Sequence, residues 1–474
     1  MVLEQLKVPI VVAPLAGGPS TAELAAAVAS AGGLGFVAAG YLTAAELSER
    51  IRRTRELSDG QIAANLFVPG SSAAEPGSYQ PYCQQLARWA RERDLPLGEP
   101  RYSDDDWQAK LELLLREGLP VVSFTFGCPE RQVLDALRDA GSEVWITVTS
   151  PEEADEAEAA GADVLVVQGA EAGGHRASFI DRPDLPLYGL LPLLSLIRSG
   201  SPLPLVASGA IATGKALAAV LCAGARAAQI GTAFMLCPEA GTSEVHRAAL
   251  RTQADTGLTR AFTGRLARGI RNQFMDQFSS AAPIAYPELH YVTSPLRRRA
   301  REQGEAELVN LWAGEAHALA QPLPAVDVVR RLVAETEVAL RRAVAQGARS
   351  AASVVAVDEL RALADRWYEA WNAHDLDRIL SHYAEDIVFS SPFIAALGVD
   401  PSGTVIGKPA LRAYWGLALK RFPELRFEPT AALFGSSSVT LVYRAVEGLQ
   451  AAEVVELGRD GLIVRASAHY DRLP

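Results

Sequence analysis

Nine residues, Gln168-Gly169-Ala170-Glu171-Ala172-Gly173-Gly174-His175-Arg176, form the most chemically suggestive stretch of this 474-residue chain. They follow the apolar run Val164 to Val167 directly, and their glycines let the backbone pass close to a planar ligand. His175 is expected to project from this loop, where a near-neutral pKa makes it a candidate base. The other six histidines (His246, His290, His317, His374, His382 and His469) lie in ordinary or helical patterns and read mostly as surface or core residues. Two small-residue turns, Ser208-Gly209-Ala210 and Gln229-Ile230-Gly231-Thr232, lead from apolar runs toward helices. Their backbone N–H groups can cradle a phosphate. Asn65 and Gln168 each donate and accept hydrogen bonds, which suits the edge of a heteroaromatic ring and equally suits a buried tie between loops. No cluster of Asp, Glu or His stands at metal-ligand spacing, so an organic cofactor is expected and a metal is not.

These residues must be held by something repetitive. Eight short runs rich in apolar and β-branched residues begin near Ile10, Leu34, Ile62, Val121, Val144, Val164, Leu205 and Ala228, without polar alternation. Such strands are covered on both faces. Helices between them open with Ser20-Thr21-Ala22-Glu23, Thr43-Ala44-Ala45-Glu46 and Ser150-Pro151-Glu152-Glu153, which read as capping boxes. They close on Gly32, Gly141, Gly161 and Gly224, each just before a strand. The pattern predicts an α/β fold, a (β/α)8 TIM barrel, with a doubly wound open sheet as the alternative. The C-terminal ends of its strands are where chemistry is expected, and Pro14, Leu15, Asn65, Gln168, Gly209, Ala210 and Gln229 to Thr232 all fall there. Insertions interrupt the repeat at 69–118 and at 238–295, the latter expected as a loop-rich excursion over the barrel mouth.

The barrel domain is expected to span 1–346 and end in a helix from about Ala325 to Gln346. Residues 347–357 are small, polar and patternless, as in a linker. Residues 358–474 follow another grammar: helices first, with one strand at 387–390 among them, then four alternating strands at 426–434, 439–446, 451–457 and 462–470. That order predicts a smaller α+β domain with a curved sheet.

The bulk numbers exclude several functions. Forty-five Lys+Arg against 56 Asp+Glu leave a net charge of −11, a poor basis for binding nucleic acid or an anionic membrane. The one tight basic run, Arg297-Arg298-Arg299 with Arg301, reads as a solvated helix face. Four cysteines without CxxC spacing read as reduced thiols. With no signal-like N-terminus and no unbroken apolar span, a soluble cytoplasmic protein is expected.

Residues 1 to about 346 resemble the nitronate monooxygenase family, also called 2-nitropropane dioxygenases. The resemblance rests on Ala13-Pro14-Leu15-Ala16-Gly17-Gly18-Pro19-Ser20, Ala31-Gly32-Gly33-Leu34-Gly35-Phe36, Asn65-Leu66-Phe67-Val68-Pro69, Ser123-Phe124-Thr125-Phe126-Gly127 and Gln168 to Arg176. It continues through Gln229-Ile230-Gly231-Thr232-Ala233-Phe234, Ala261-Phe262-Thr263-Gly264-Arg265 and Leu311-Trp312-Ala313-Gly314. It implies an FMN-binding barrel, with FMN held by Pro14, Leu15, Asn65, Gln168, Gly173, the Gly209-Ala210 turn and Gln229, Ile230, Gly231 and Thr232. His175 matches the family's active-site histidine. Ala210 stands where the family usually has Gly, which an alanine can replace if its φ stays negative. Leu15 replaces a common Met, a near-isosteric change.

Residues 358 to 470 resemble the SnoaL-like group of the nuclear-transport-factor-2-like superfamily, through Trp367-Tyr368-Glu369-Ala370-Trp371-Asn372, His382-Tyr383-Ala384-Glu385-Asp386 and Gly407-Lys408-Pro409-Ala410-Leu411. That implies a cone-shaped pocket and leaves a homodimer open. Tyr383, His469 and Asp471 are its candidate catalytic groups, if the domain is catalytic at all. The barrel resemblance implies oxidation of an alkyl nitronate or nitroalkane by O2 to a carbonyl compound and nitrite. The alternative is an FMN-dependent, NAD(P)H-linked enoyl-thioester or quinone reductase, with the C-terminal domain as a binding or assembly module.

Overall fold

Nine short strands come first in the chain: β1 (Ile10–Val12), β2 (Gly35–Ala38), β3 (Ile62–Phe67), β4 (Val121–Thr125), β5 (Glu143–Val148), β6 (Val164–Gln168), β7 (Gly174–His175), β8 (Leu205–Ser208) and β9 (Ala227–Ile230). All but β7 are the eight apolar runs of the sequence. Their side chains are almost wholly buried because helices cover one face and the barrel interior fills the other. The computed structural model describes residues 1–70, 74–351, 356–445 and 448–472.

The eight apolar strands pair in parallel in the order β1-β9-β8-β6-β5-β4-β3-β2. The ring closes through a parallel bridge between Val11 and Leu34, with Val12 N–H donating to Leu34 O at 3.0 Å and Leu34 N–H to Ile10 O at 3.0 Å. An open doubly wound sheet would leave two free edges there, so the barrel stands and the alternative falls. The glycine helix stops are real: Gly161, for one, has φ +102° and its N–H caps the helix Pro151–Ala160. Of the three expected capping boxes only Thr43/Glu46 is complete. Thr21 rather than Ser20 is the N-cap of the first, and Glu153 turns back to Thr149 and Phe179.

The 238–295 excursion is not loop-rich. It holds the helix Glu244–Leu250, the hairpin β10 (Thr256–Thr259) and β11 (Ala267–Ile270), the helix Gln273–Phe278 and the start of the helix Glu288–Gln303. β11 also pairs antiparallel with β7, Ala267 opposite His175 and Arg268 opposite Gly174. His175 therefore sits on a strand, not a free loop. No helix among the described residues is long and apolar enough to cross a membrane.

The chain forms two compact units, 1–340 and 341–474. Of the segment expected as a linker, 347–351 continue the helix Ala325–Ala351, and 352–355 lie outside the described residues. The second unit carries a six-stranded sheet: β12 (Tyr383–Ser390), β13 (Thr404–Ile406), β14 (Glu428–Phe434), β15 (Ser438–Arg444), β16 (Gln450–Leu457) and β17 (Ile463–Tyr470). Their order is β13-β12-β17-β16-β15-β14, antiparallel except for β12 against β17. β13 was not expected, and Val446, the expected end of β15, lies outside the described residues. Trp367, Tyr383, Trp415 and Tyr443 fill the space between sheet and helices.

Candidate active site

Parallel strands in a closed ring send all their C-terminal ends to one mouth, and there a cavity of about 400 Å³ opens. Pro14, Leu15, Asn65, Gln168, Gly173, His175, Gly209, Ala210, Gln229, Ile230, Gly231 and Thr232 all line it. Residues more than 200 positions apart in the chain, Pro14 and Thr232 among them, thus meet, because they sit at or near the C-terminal ends of neighbouring strands.

Both amides are engaged by the protein. Asn65 Nδ2 donates to Ser123 Oγ at 2.9 Å and to Thr125 Oγ1 at 3.0 Å, so Asn65 has only its oxygen to offer a ligand. Gln168 Nε2 donates to His175 O at 3.1 Å, and its Oε1 accepts from Ala177 N–H at 2.9 Å. Gln168 is thereby a clamp on the strand that carries His175. Gly173 is tight for a similar reason: a Cβ there would lie 2.4 Å from Gly314 N and 2.5 Å from Ala313 C. The backbone N–H groups of Gly209, Ala210, Gly231 and Thr232, in contrast, donate to no acceptor among the described residues. Two adjacent strand ends therefore present four free donors to one cavity.

Ala210 departs from the expectation of a negative φ. It lies at φ +49°, in the left-handed region that favours glycine. Phe126 is similarly unusual at φ +78°, and its ring lies edge-on to His175 (5.8 Å) with the Arg265 guanidinium 4.0 Å from its centroid. Unfavourable backbone held in place by its surroundings clusters at functional sites.

His175 is ringed by Phe126, Tyr286 and Trp312, with centroids 5.6–5.8 Å away. Burial, with Arg265 and Arg297 adding repulsion, pushes its pKa down to about 3, so the imidazole is neutral. Its Nε2 lies 2.9 Å from Thr263 Oγ1. That hydroxyl also lies 3.3 Å from Arg265 O. With its proton directed there, it accepts from Nε2–H, and the imidazole lone pair falls on Nδ1.

Several lining residues escaped the sequence reading. His246, His290 and His317 line the cavity, and of these His246 and His317 are also buried and bonded to backbone carbonyls, as the core reading expects. Arg297 and Arg301, expected on a solvated face, line it too; Arg297 is only 4% exposed, whereas Arg298 faces solvent. The signal was the helical spacing of His290, Ser294, Arg297 and Arg301, which puts all four on one face of the helix Glu288–Gln303. Arg297 donates to Thr293 Oγ1 at 3.0 Å and His290 O at 2.8 Å. It forms no ion pair among the described residues, and burial with Arg301 nearby lowers its pKa to about 10. The Tyr41 ring stacks on His290 at 4.2 Å, and its hydroxyl lies 3.1 Å from that of Tyr286.

A cavity at a barrel mouth, lined by free backbone donors, a neutral imidazole and an uncompensated guanidinium, has the makings of a ligand site. The family model for nitronate monooxygenase matches residues 2–335, and that for the SnoaL-like domain matches residues 364–466. A probable nitronate monooxygenase of Staphylococcus saprophyticus is 34% identical over 352 residues, 72% of this chain and 98% of its own length. A nitroalkane oxidase structure from Streptomyces ansochromogenes is 46% identical with TM-score 0.70, over 72% of this chain and 99% of that one. FabK from Thermotoga maritima, 23% identical with TM-score 0.58 over 73% of this chain and 97% of its own, shares the fold. The chain belongs to the nitronate monooxygenase family and is an oxidoreductase, with a SnoaL-like domain following the barrel.

Proposed function

We propose that the chain uses FMN to oxidise alkyl nitronates, and the nitroalkanes from which they form, with O2, giving carbonyl compounds and nitrite. One observation carries this reading: four free N–H donors, a neutral imidazole and an unpaired guanidinium face a single cavity. The donors of Gly209, Ala210, Gly231 and Thr232 suit a phosphate, since oriented backbone N–H groups at loop-to-helix turns bind anions. The volume of about 400 Å³ suits a cofactor and a small substrate. Pro14, Leu15, Asn65, Gln168, Gly173 and Gln229 to Thr232 would hold FMN, together with the Gly209-Ala210 turn. When bound, FMN supplies the electron acceptor for the nitronate and the means of reducing O2.

The protein's own groups do the rest. Nδ1 of His175 takes the α-proton of a neutral nitroalkane. Arg297 holds the negative oxygens of the nitro group, and as that charge forms it offsets the repulsion that keeps the imidazole neutral. The aromatic wall of Phe126, Tyr286 and Trp312 excludes water from the reacting carbon.

His175→Ala tests this. The variant should purify yellow and lose ~10²–10⁴-fold activity on a neutral nitroalkane, as for loss of a positioned base. Its activity on the pre-ionised nitronate should fall much less. Equal losses on both substrates would make His175 a charge or positioning group, and a colourless variant would make it structural. Anaerobic bleaching by NADPH within seconds, with no nitrite from a nitronate, would replace the reading with the reductase.

A further inference from the structure

Tyr41 stands in a turn just past β2, and its backbone is held at φ +66°, a left-handed conformation that a bulky side chain rarely adopts. A glycine or asparagine would make the same turn without strain. Here the conformation is enforced from outside. Tyr41 N–H donates to Asp105 Oδ1 at 2.8 Å, and Asp105 Oδ2 pairs with Lys110 Nζ at 2.8 Å. That lysine is only 1% exposed, so the 69–118 insertion commits a buried charge pair to this one turn. Strain held in place by its surroundings is characteristic of functional positions.

What the turn positions is a phenol. The hydroxyls of Tyr41 and Tyr286 share one hydrogen bond, which leaves one proton over. Were Tyr41 the donor, the proton of Tyr286, a residue outside the cavity lining, would have no acceptor among the described residues. With Tyr286 donating, the spare proton belongs to Tyr41, which lines the cavity. The charge of Arg297 acts on the Tyr41 hydroxyl, so the two share one corner of that cavity. Arg297 has little left to give there. Its Nε donates to Thr293 and its Nη2 to His290 O, which leaves Nη1 for a ligand.

We propose that Tyr41 is a further catalytic residue of the barrel, its hydroxyl holding one oxygen of the substrate's nitro or nitronate group while Nη1 of Arg297 holds the other. This rests on the nitronate reading above. As the α-proton passes to Nδ1 of His175, the C–H electron pair enters the C–N bond. The displaced pair settles as negative charge on the two oxygens, where both donors already point. Tyr41 keeps its proton throughout, because burial raises its pKa to about 12. Its hydrogen bond strengthens as the charge arrives, and no further reactant is needed.

Nitrate, a planar oxyanion that cannot turn over, separates binding from chemistry and is titrated into the full flavin-containing chain by calorimetry. Tyr41→Phe removes a single oxygen atom and should weaken nitrate binding by about 10- to 100-fold, the value of a hydrogen bond to a charged group. Its kcat/KM for a nitronate should fall by a similar factor, with the melting temperature and flavin-to-protein ratio unchanged. Tyr286→Phe leaves the Tyr41 proton in place, so it should weaken nitrate by no more than about 3-fold. The proposal is overturned if Tyr41→Phe binds nitrate within about 2-fold of the unaltered chain, or if Tyr286→Phe loses as much as Tyr41→Phe. It is overturned equally if Tyr41→Phe loses flavin or melts lower, which would make the hydroxyl structural, or if a chain that makes nitrite from a nitronate binds no nitrate at millimolar concentration. Tyr41-dependent nitrate binding in a chain that makes no nitrite would keep the anion clamp and discard the nitronate reading.

Discussion

Acidification from pH 7 to pH 5 is expected to remove about 4 kcal/mol of stability from the barrel unit through two histidines alone. His175 and His246 are held at about 3 and about 4, against an ordinary value of 6.5, chiefly by burial. At pH 5 both rings are still neutral in the folded protein and almost wholly protonated in the unfolded chain. The unfolded state then binds more protons, so stability falls as pH falls. Below pH 6.5 each ring contributes a slope approaching 1.36 kcal/mol per pH unit, or about 2 kcal/mol between pH 7 and 5. The loss begins near pH 6.5 and ends only where the folded rings themselves protonate. His290, lowered well below its ordinary value by burial and Arg297, acts in the same direction. Against a total stability of about 5–15 kcal/mol this is a large fraction. Urea unfolding of the ligand-free chain at pH 7, 6 and 5 measures it. In His246→Gln, which keeps an amide N–H for Trp312 O, about 2 kcal/mol of the loss should disappear. An unchanged pH slope in that variant would refute the reasoning, as would a His175 or His246 resonance titrating near pH 6.5.

Ala210→Gly should stabilise the barrel unit by about 0.5–1 kcal/mol. It relieves a left-handed alanine worth about 1–2 kcal/mol and gives back about 0.5–1 kcal/mol of glycine entropy; a lowered melting temperature would contradict this. Gly173→Ala places a Cβ against the Ala313–Gly314 backbone, so it should cost about 1–3 kcal/mol and lower the flavin-to-protein ratio of the purified chain. Arg297→Gln should raise the KM for a nitronate by about 10- to 100-fold, the value of a hydrogen bond to a charged group, with a smaller change in kcat. The same variant should let His175 titrate at higher pH, since one of the two repelling cations is gone.

The barrel was legible because its signals are local. An apolar run bounded by a glycine stop declares a buried strand whatever its partners, and strand ends declare the mouth. What the sequence hid depends on contacts between distant segments. β7 is two residues long and exists only because β11, some ninety residues later, pairs with it. Helical spacing groups Arg297 with His290, Ser294 and Arg301 on one face, but that spacing alone does not say whether the face covers a cavity or meets water. The residue type of Gln168 suits a ring-edge contact and a tie between loops equally, and in the protein it ties His175 and Ala177.

The placement of the indoles gives the molecule a built-in optical gauge for each cavity. Of its seven tryptophans, Trp312 lines the barrel cavity beside His175, while Trp371 and Trp415 line a small cavity of the second unit. Emission from Trp312 will be quenched by any occupant of the barrel that absorbs in the near ultraviolet, and emission from Trp371 and Trp415 will respond to whatever fills the smaller space. Keeping only Trp312 in one variant and only Trp371 and Trp415 in another would separate the two signals, so that filling of each compartment could be followed in real time and without a label.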